Sequence, residues 1–265
     1  MIELSGYRIL EEIYNGVNTV VYRGYNDRYG QPVIVKVLKS DYPTIEEIAR
    51  LKHEYQIAQS LDCAGIVKTY SLESNQNRFA LILEDFGGIS LTEYLTSRKL
   101  ALVEFLRFAI DLTDALAYLH KSSIIHKDIK SANIIINSVT KTAKIADFSI
   151  ASRQGVENQN IGPVLELLGT LAYMSPEQTG RMNRTIDYRT DFYSLGVTFY
   201  EILAGSLPFT TQDAMELVHC HLAKQPVPLQ DRNPEIPAAI SSIVMKLLAK
   251  TAEERYQSAA GLKFD

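Results

Sequence analysis

The chain has 265 residues, a net charge of −4 and a sequence pI of about 5.8, a length that suits one large domain or two lobes sharing a cleft. The acidic balance argues against nucleic acid and anionic membranes as partners, and no apolar run reaches the roughly 18 residues a membrane helix needs. Only Cys63 and Cys220 could form a disulfide; they lie far apart without metal spacing and read as small buried hydrophobes in a reducing, cytoplasmic protein. The opening MIELSGYRIL has no basic-then-apolar leader pattern.

In chain order, Tyr7–Tyr14, Thr19–Tyr25 and Pro32–Lys39 are rich in β-branched and aromatic residues, with Gly, Asn and Asp between them, and predict strands. From Thr44 to Ser60 the period becomes helical, through Ile45, Ile48, Ala49, Leu51, Lys52, Tyr55 and Ala58. Thr44 is the expected N-cap, with Glu46 and Glu47 in the first turn. Ile66–Leu72 and Phe79–Asp85 predict two further strands, ended by Gly87-Gly88. Beyond them the chain reads mainly as helix, over Ala101–Leu119, Arg189–Ala204 and Ile236–Ala249. Ile134–Ile136 and Ala143–Ala146 read as a small hairpin. A β-rich lobe thus precedes a helical one, and the junction is the expected place for a ligand cleft.

The strongest motif is His126-Lys127-Asp128-Ile129-Lys130-Ser131-Ala132-Asn133, followed by Asp147-Phe148-Ser149 and Ser175-Pro176-Glu177, with Val33-Ile34-Val35-Lys36 upstream. In order and separation these resemble the H-R-D-x-K-x-x-N, D-F-G, A-P-E and V-A-I-K motifs of the protein kinases. The resemblance covers nearly the whole chain. It implies an α+β bilobal protein-kinase fold over 1–265. The N-lobe, 1–85, carries an antiparallel five-stranded sheet and one helix, the hinge lies at 84–88, and the larger, mainly α-helical C-lobe is 89–265. The last helix is expected to be incomplete, leaving an apolar seat near Leu247 and Leu248 partly uncovered. ATP and Mg²⁺ are the implied cofactors, and Ser or Thr side chains of proteins the implied acceptors.

The residue types suit that chemistry. Phosphoryl transfer needs positioning and charge neutralisation more than covalent help. Asp128, in a short loop after the long helix, is placed to orient the attacking hydroxyl and take its proton, and Lys130 to reach the transferring phosphate. Asn133 and Asp147 offer hard oxygen ligands to Mg²⁺. Lys36 offers a point charge to the α- and β-phosphates; the resemblance implies that Glu54 holds it. The resemblance also places Ile13, Gly16, Val21, Ile34, Glu84 and Phe86 around the nucleotide. Asp191 is expected to hold the backbone of the catalytic loop, Arg255 to pair with Glu177 as a buried ion pair, and His126 and Phe148 to act as packing elements. Lys130 and Thr170, after Gly169, carry the Ser/Thr expectation.

Several positions depart from the family pattern. In Tyr14-Asn15-Gly16-Val17-Asn18-Thr19 only the central glycine of the phosphate loop remains, which stiffens the loop. Ile34 stands where the family has a small Ala, and Ser149 replaces the Gly of D-F-G. Lys127 replaces the Arg that grips a phosphorylated activation loop through a bidentate contact, so activity is expected not to require activation-loop phosphorylation. These changes keep open an alternative, a pseudokinase-like ATP-binding or scaffold module. Retention of Lys36, Glu54, Asp128, Lys130, Asn133 and Asp147 argues against it.

A closer likeness rests on Tyr173–Arg184, Asp187–Val197, Lys52-His53-Glu54-Tyr55 and Gly65-Ile66-Val67. These resemble the N-terminal kinase domains of multidomain bacterial, cyanobacterial-type signalling proteins, in which an ATPase-like module, a GAF sensor and a histidine kinase follow. That likeness implies such modules in a parent protein. Arg181, Arg184 and Arg189 read either as a solvated face with structural pairs or as a patch for acidic segments.

Overall fold

The computed structural model describes residues 4–75, 78–154, 170–182 and 184–265. The chain divides into two units. The first contains the residues up to Gly88 together with Asp147–Ile150; the second contains Ile89–Ala146 and Ala151–Asp265.

In the first unit, β1 (Tyr7–Asn15), β2 (Thr19–Asn26), β3 (Gln31–Leu38), β4 (Thr69–Asn75) and β5 (Arg78–Glu84) form an antiparallel sheet in the order β1-β2-β3-β5-β4. The period of two sorts β3 between two faces. Val33, Val35 and Val37 are buried with Ala80 and Ile82 against Tyr7, Ile9 and Tyr22. Leu38 and Leu81 pack on the other face with Leu51 and Tyr55 of α1 (Ile45–Ala58). Each aliphatic side chain buried this way contributes about 1.5–3 kcal/mol. Lys36 lies between two of the valines and so faces the α1 side. At the start of α1, Thr44 Oγ1 accepts from Glu47 N at 3.2 Å and Glu47 Oε2 from Thr44 N at 2.8 Å, a reciprocal cap.

The expected strand from Ile66 starts only at Thr69. Ile66 N bonds to Cys63 O in a turn ahead of the strand, and Ile66 and Val67 are buried there. Cys220 is buried, but Cys63 is only half-covered.

The second unit is built on α2 (Leu91–Ser97), α3 (Leu102–Lys121), α4 (Arg189–Ala204), α5 (Ala214–Ala223), α6 (Leu229–Arg232), α7 (Ala238–Leu247) and α8 (Ala259–Phe264). Three short strand pairs accompany them: β6 (Ile89–Ser90) with β8 (Ile134–Asn137), β8 with β9 (Thr142–Ile145), and β7 (Ile124–Ile125) with β10 (Ser152–Arg153). Helix α3 buries one stripe, Phe105, Phe108, Leu112, Ala115, Leu116 and Leu119. Helix α4 is buried at every position from Thr190 to Tyr200, the pattern of a core helix. Gly205, at φ +69°, ends it in the left-handed conformation glycine allows. Helix α7 starts at Ala238, later than Ile236, because Pro237 takes the N-cap with extended backbone.

The uncovered seat expected at Leu247 and Leu248 is absent. Both are at most 1% exposed. Helix α7 lies so close to α4 that a Cβ on Gly196 would stand 2.7 Å from Leu247 Cβ. Helix α8 packs on α3, with Lys263 Nζ 2.7 Å from Asp114 Oδ2. The smaller helices lack a long apolar period, but Ser90-x-x-Glu93 and Asp213-x-x-Glu216 are N-cap signatures for α2 and α5.

Candidate active site

The expected site residues fall into two sets, one in each unit. In the first unit, Lys36 projects from the centre of β3 toward α1. Its Nζ lies 3.0 and 2.8 Å from the two carboxylate oxygens of Glu54 and 3.2 Å from Asp147 Oδ2. Lys36 and Glu54 are buried, whereas the Asp147 side chain is 32% exposed. Asp147 sits at φ +65°, a left-handed conformation that Asp tolerates better than most residues. Ser149 N donates to its Oδ1 at 3.2 Å.

One cation thus stands between two carboxylates, and the environments separate the two. Burial works against the Lys36 ammonium, but Asp147 and Glu54 outweigh it and hold its pKa above the ordinary lysine value. Burial pushes Glu54 up to about 7 in spite of Lys36, with the Asp147 charge adding to the rise. For Asp147, burial is overcome by Lys36 and by the hydrogen bonds from Ser149, and the carboxyl lies well below its usual range. Asp147 therefore stays ionised, and Glu54 is the carboxylate that takes up a proton first.

Val21 and Leu81 are the cross-strand neighbours of Lys36, and Ile34, opposite Arg23 and Leu83, shares their face of the sheet. Val21, Ile34 and Phe86 are half-buried, while Ile13 is 42% exposed. Glu84 is drawn toward the lead-in to β4: its N donates to Lys68 O at 2.9 Å and its Oε2 accepts from Lys68 N at 3.2 Å. In the phosphate loop, the Tyr14 ring lies against Gly16, where a Cβ would meet it at 2.8 Å. Lys39 holds the loop with Nζ 2.8 Å from Asn15 Oδ1 and 3.3 Å from Gly16 O. Arg23 binds Asp85 Oδ2 at 2.7 Å, Glu11 Oε1 at 2.8 Å and Gly88 O at 3.2 Å. The roles of Lys39 and Arg23 are invisible in the sequence, because each joins segments far apart in the chain.

In the second unit, the loop from β7 to the 3₁₀ turn Ser131–Asn133 carries the other set. Asn133 Nδ2 donates to Asp128 Oδ2 at 2.8 Å and to Asp128 O at 2.9 Å. Lys130 Nζ lies 2.7 Å from Asp128 Oδ2 and 3.0 Å from Thr170 Oγ1. Lys127 is at φ +67°. This turn is held by Asp191, fully buried on α4, which accepts from His126 N at 3.0 Å and Lys127 N at 2.8 Å. His120 Nε2 lies 2.9 Å from the same carboxylate. Burial opposes the Asp191 charge, but His120 and the backbone donor of His126 hold its pKa below the ordinary value.

The segment after Thr170 is tied to this loop. Gln178 Nε2 donates to Lys127 O at 2.8 Å. Glu177 takes Arg255 on both oxygens, at 2.6 and 2.9 Å, and the guanidinium also donates to the carbonyls of Ala249, Lys250 and Arg189. Of the basic cluster, Arg184 is paired with Glu253 and Arg189 with Asp187 at 2.7 Å, which supports the structural reading of those two. Gly169 and most of the activation loop, on which the phosphorylation expectation rests, lie outside the described residues, as does Asn183.

No cluster of three or more His, Cys, Asp or Glu side chains among the described residues could hold a metal by itself. In the first unit Asp147 offers a carboxylate kept ionised, and in the second Asn133 offers an amide oxygen, each a hard donor of the kind a divalent cation prefers. No helix among the described residues is long and apolar enough to cross a membrane.

Comparison with known proteins agrees with this chemistry. The chain is 32% identical over 265 residues to the serine/threonine-protein kinase PrkC of Bacillus subtilis, covering 99% of this chain and 40% of that protein. It is 31% identical over 265 residues to the serine/threonine-protein kinase PknB of Mycobacterium tuberculosis, covering 98% of this chain and 42% of the relative. The chain therefore spans about two fifths of the length of these relatives. The protein kinase domain model matches residues 7–263, and that family uses ATP with a divalent cation to phosphorylate proteins. The chain belongs to the protein kinase domain family.

Proposed function

We propose that this chain is an ATP-dependent serine/threonine protein kinase of bacterial signalling, with Mg²⁺ as its cation. The observation that carries the reading is Lys130 Nζ, placed between Asp128 Oδ2 at 2.7 Å and Thr170 Oγ1 at 3.0 Å. A carboxylate and an ammonium fixed side by side on one short loop suit a hydroxyl acceptor and a phosphoryl group.

In this reading Asp128 orients the acceptor hydroxyl of Ser or Thr and takes its proton. Lys130 neutralises charge on the transferring phosphoryl group. Lys36, kept ionised and oriented by Glu54, binds the α- and β-phosphates. Asp147 and Asn133 hold Mg²⁺, which neutralises phosphate charge and orients the triphosphate when bound. Ile13, Gly16, Val21, Ile34, Glu84 and Phe86 enclose the adenine end. The relatives' names support Ser/Thr acceptors. The parent protein, if it is of the cyanobacterial type, adds ATPase-like, GAF and histidine kinase modules and works in the cytoplasm.

The test is transfer of ³²P from Mg·ATP to a peptide array. Label on Ser and Thr peptides, lost in Asp128→Ala, is expected. Nucleotide binding without transfer would instead identify a scaffold.

A further inference from the structure

Ser131 lies in the catalytic loop between Lys130 and Asn133, and its side chain is buried, yet phosphoryl transfer as described gives it no task. Its Oγ is 2.9 Å from Thr92 Oγ1 and 2.8 Å from Tyr173 Oη, and Tyr173 Oη is 2.7 Å from Glu201 Oε2. Thr92 belongs to α2, Tyr173 to the segment ahead of Ser175-Pro176-Glu177, and Glu201 to α4. Proton arithmetic sets the direction of this chain. Tyr173 has one hydroxyl proton and gives it to Glu201. Ser131 must then donate to Tyr173, and Thr92 donates to Ser131. Ser131 and Tyr173 each donate once and accept once, and the chain ends on a carboxylate that has no salt-bridge partner among the described residues. Removing the Tyr173 hydroxyl would leave Ser131 without its acceptor and Glu201 without that donor, and removing the Ser131 hydroxyl would leave Tyr173 without that donor.

We propose that Ser131 is a positioning residue. Its hydroxyl locks the Asp128–Asn133 loop to Tyr173 and so sets the register between the catalytic carboxylate and the segment that meets the protein substrate. Lys130–Thr170 and Lys127–Gln178 tie the same two stretches at either side. Ser131–Tyr173 is the buried middle tie. The inference rests on the kinase reading for its catalytic consequence but not for its structural one.

Two measurements on the whole chain test it. The first is hydrogen exchange in wild type, Ser131→Ala, Ser131→Thr and Tyr173→Phe. Ser131→Ala and Tyr173→Phe should each speed exchange in both 129–134 and 171–175, and Ser131→Thr should restore protection. Acceleration confined to the mutated stretch would overturn the tie. The second is peptide phosphorylation. Ser131→Ala should lower kcat about tenfold, with KM for ATP within about twofold of wild type. The double variant with Tyr173→Phe should be no worse than the poorer single variant. Independent, additive losses, or a loss in KM for ATP alone, would overturn the positioning role. Wild type that transfers no phosphate would refute the kinase reading, while hydrogen exchange would still decide the tie.

Discussion

Lys36 and Glu54 meet through both carboxylate oxygens, at 3.0 and 2.8 Å, in a place where Asp147 brings a second negative charge to within 3.2 Å of the same ammonium. The crowding makes this pair sensitive to pH. Glu54 is held up to about 7 against its ordinary 4.5, with burial as the main cause. A raised carboxyl pKa means that the folded state holds a proton the unfolded chain has released between those two values. The resulting stabilisation is complete below about 4.5 and is lost as pH rises to about 7. The unfolding free energy of nucleotide-free wild type, relative to Glu54→Gln, should therefore fall across that window and level off above it. Urea unfolding of both proteins from pH 5 to 8 measures this. A difference that stays flat or rises would show that Glu54 is not raised.

Breaking the Arg255–Glu177 pair from one side should be costly. The Arg255 side chain is fully buried and spends its donors on two carboxylate oxygens and three carbonyls. Glu177→Ala would leave a buried guanidinium without its counter-charge, a loss of about 3–5 kcal/mol. Arg255→Lys should not rescue the fold, because an ammonium cannot reproduce the planar fork. Equilibrium denaturation gives both numbers, and a loss below about 1 kcal/mol would contradict the account.

Asp191→Asn should separate stability from catalysis. The carboxylate accepts from two backbone N–H groups and from His120. An amide keeps one acceptor oxygen and turns an NH₂ group toward a donor, at a cost of about 1.5–3 kcal/mol. Because the loop at Lys127 is held in a left-handed turn by these bonds, kcat should drop about tenfold or more in protein that remains folded at 25 °C. Unchanged kcat in folded Asp191→Asn would mean that the loop holds its shape without them.

Gly196→Ala should lower stability by about 1–3 kcal/mol through overpacking. The added methyl would stand 2.7 Å from Leu247 Cβ and 3.3 Å from the Leu247 backbone carbon, neither of which can swing away. Leu247→Ala keeps both of those atoms and should not relieve the loss in the double variant. Thermal melts of the three variants check both statements.

The family, the elements that carry the chemistry and the identity of Lys36, Glu54, Asp128, Lys130, Asn133 and Asp147 as candidates were legible in the sequence. That information is local: residue types at short spacings within one loop, and side-chain periods of two or 3.6 that sort buried from exposed positions. Glu54 came from the resemblance to the family, and in the structure it is buried on the stripe of α1 with Leu51 and Ala58. Element edges were legible where a side-chain cap sets them, as at Thr44, and less so at Pro237, which moves the start of α7 past Ile236, and at Ile66, which precedes a strand that starts only at Thr69. What only the tertiary structure decided is long-range. The carboxyl of Glu54 is raised while that of Asp147 is lowered because three charges converge from β3, α1 and Asp147 itself. Arg184 and Arg189 are absorbed by acids from distant turns and nearby loops. Leu247 and Leu248 are buried, and Leu247 packs against Gly196 of α4. Ser131 acquires its hydroxyl partners from three separate elements. A sequence records which groups can donate, accept or ionise; which of them share one buried space depends on packing between segments far apart in the chain.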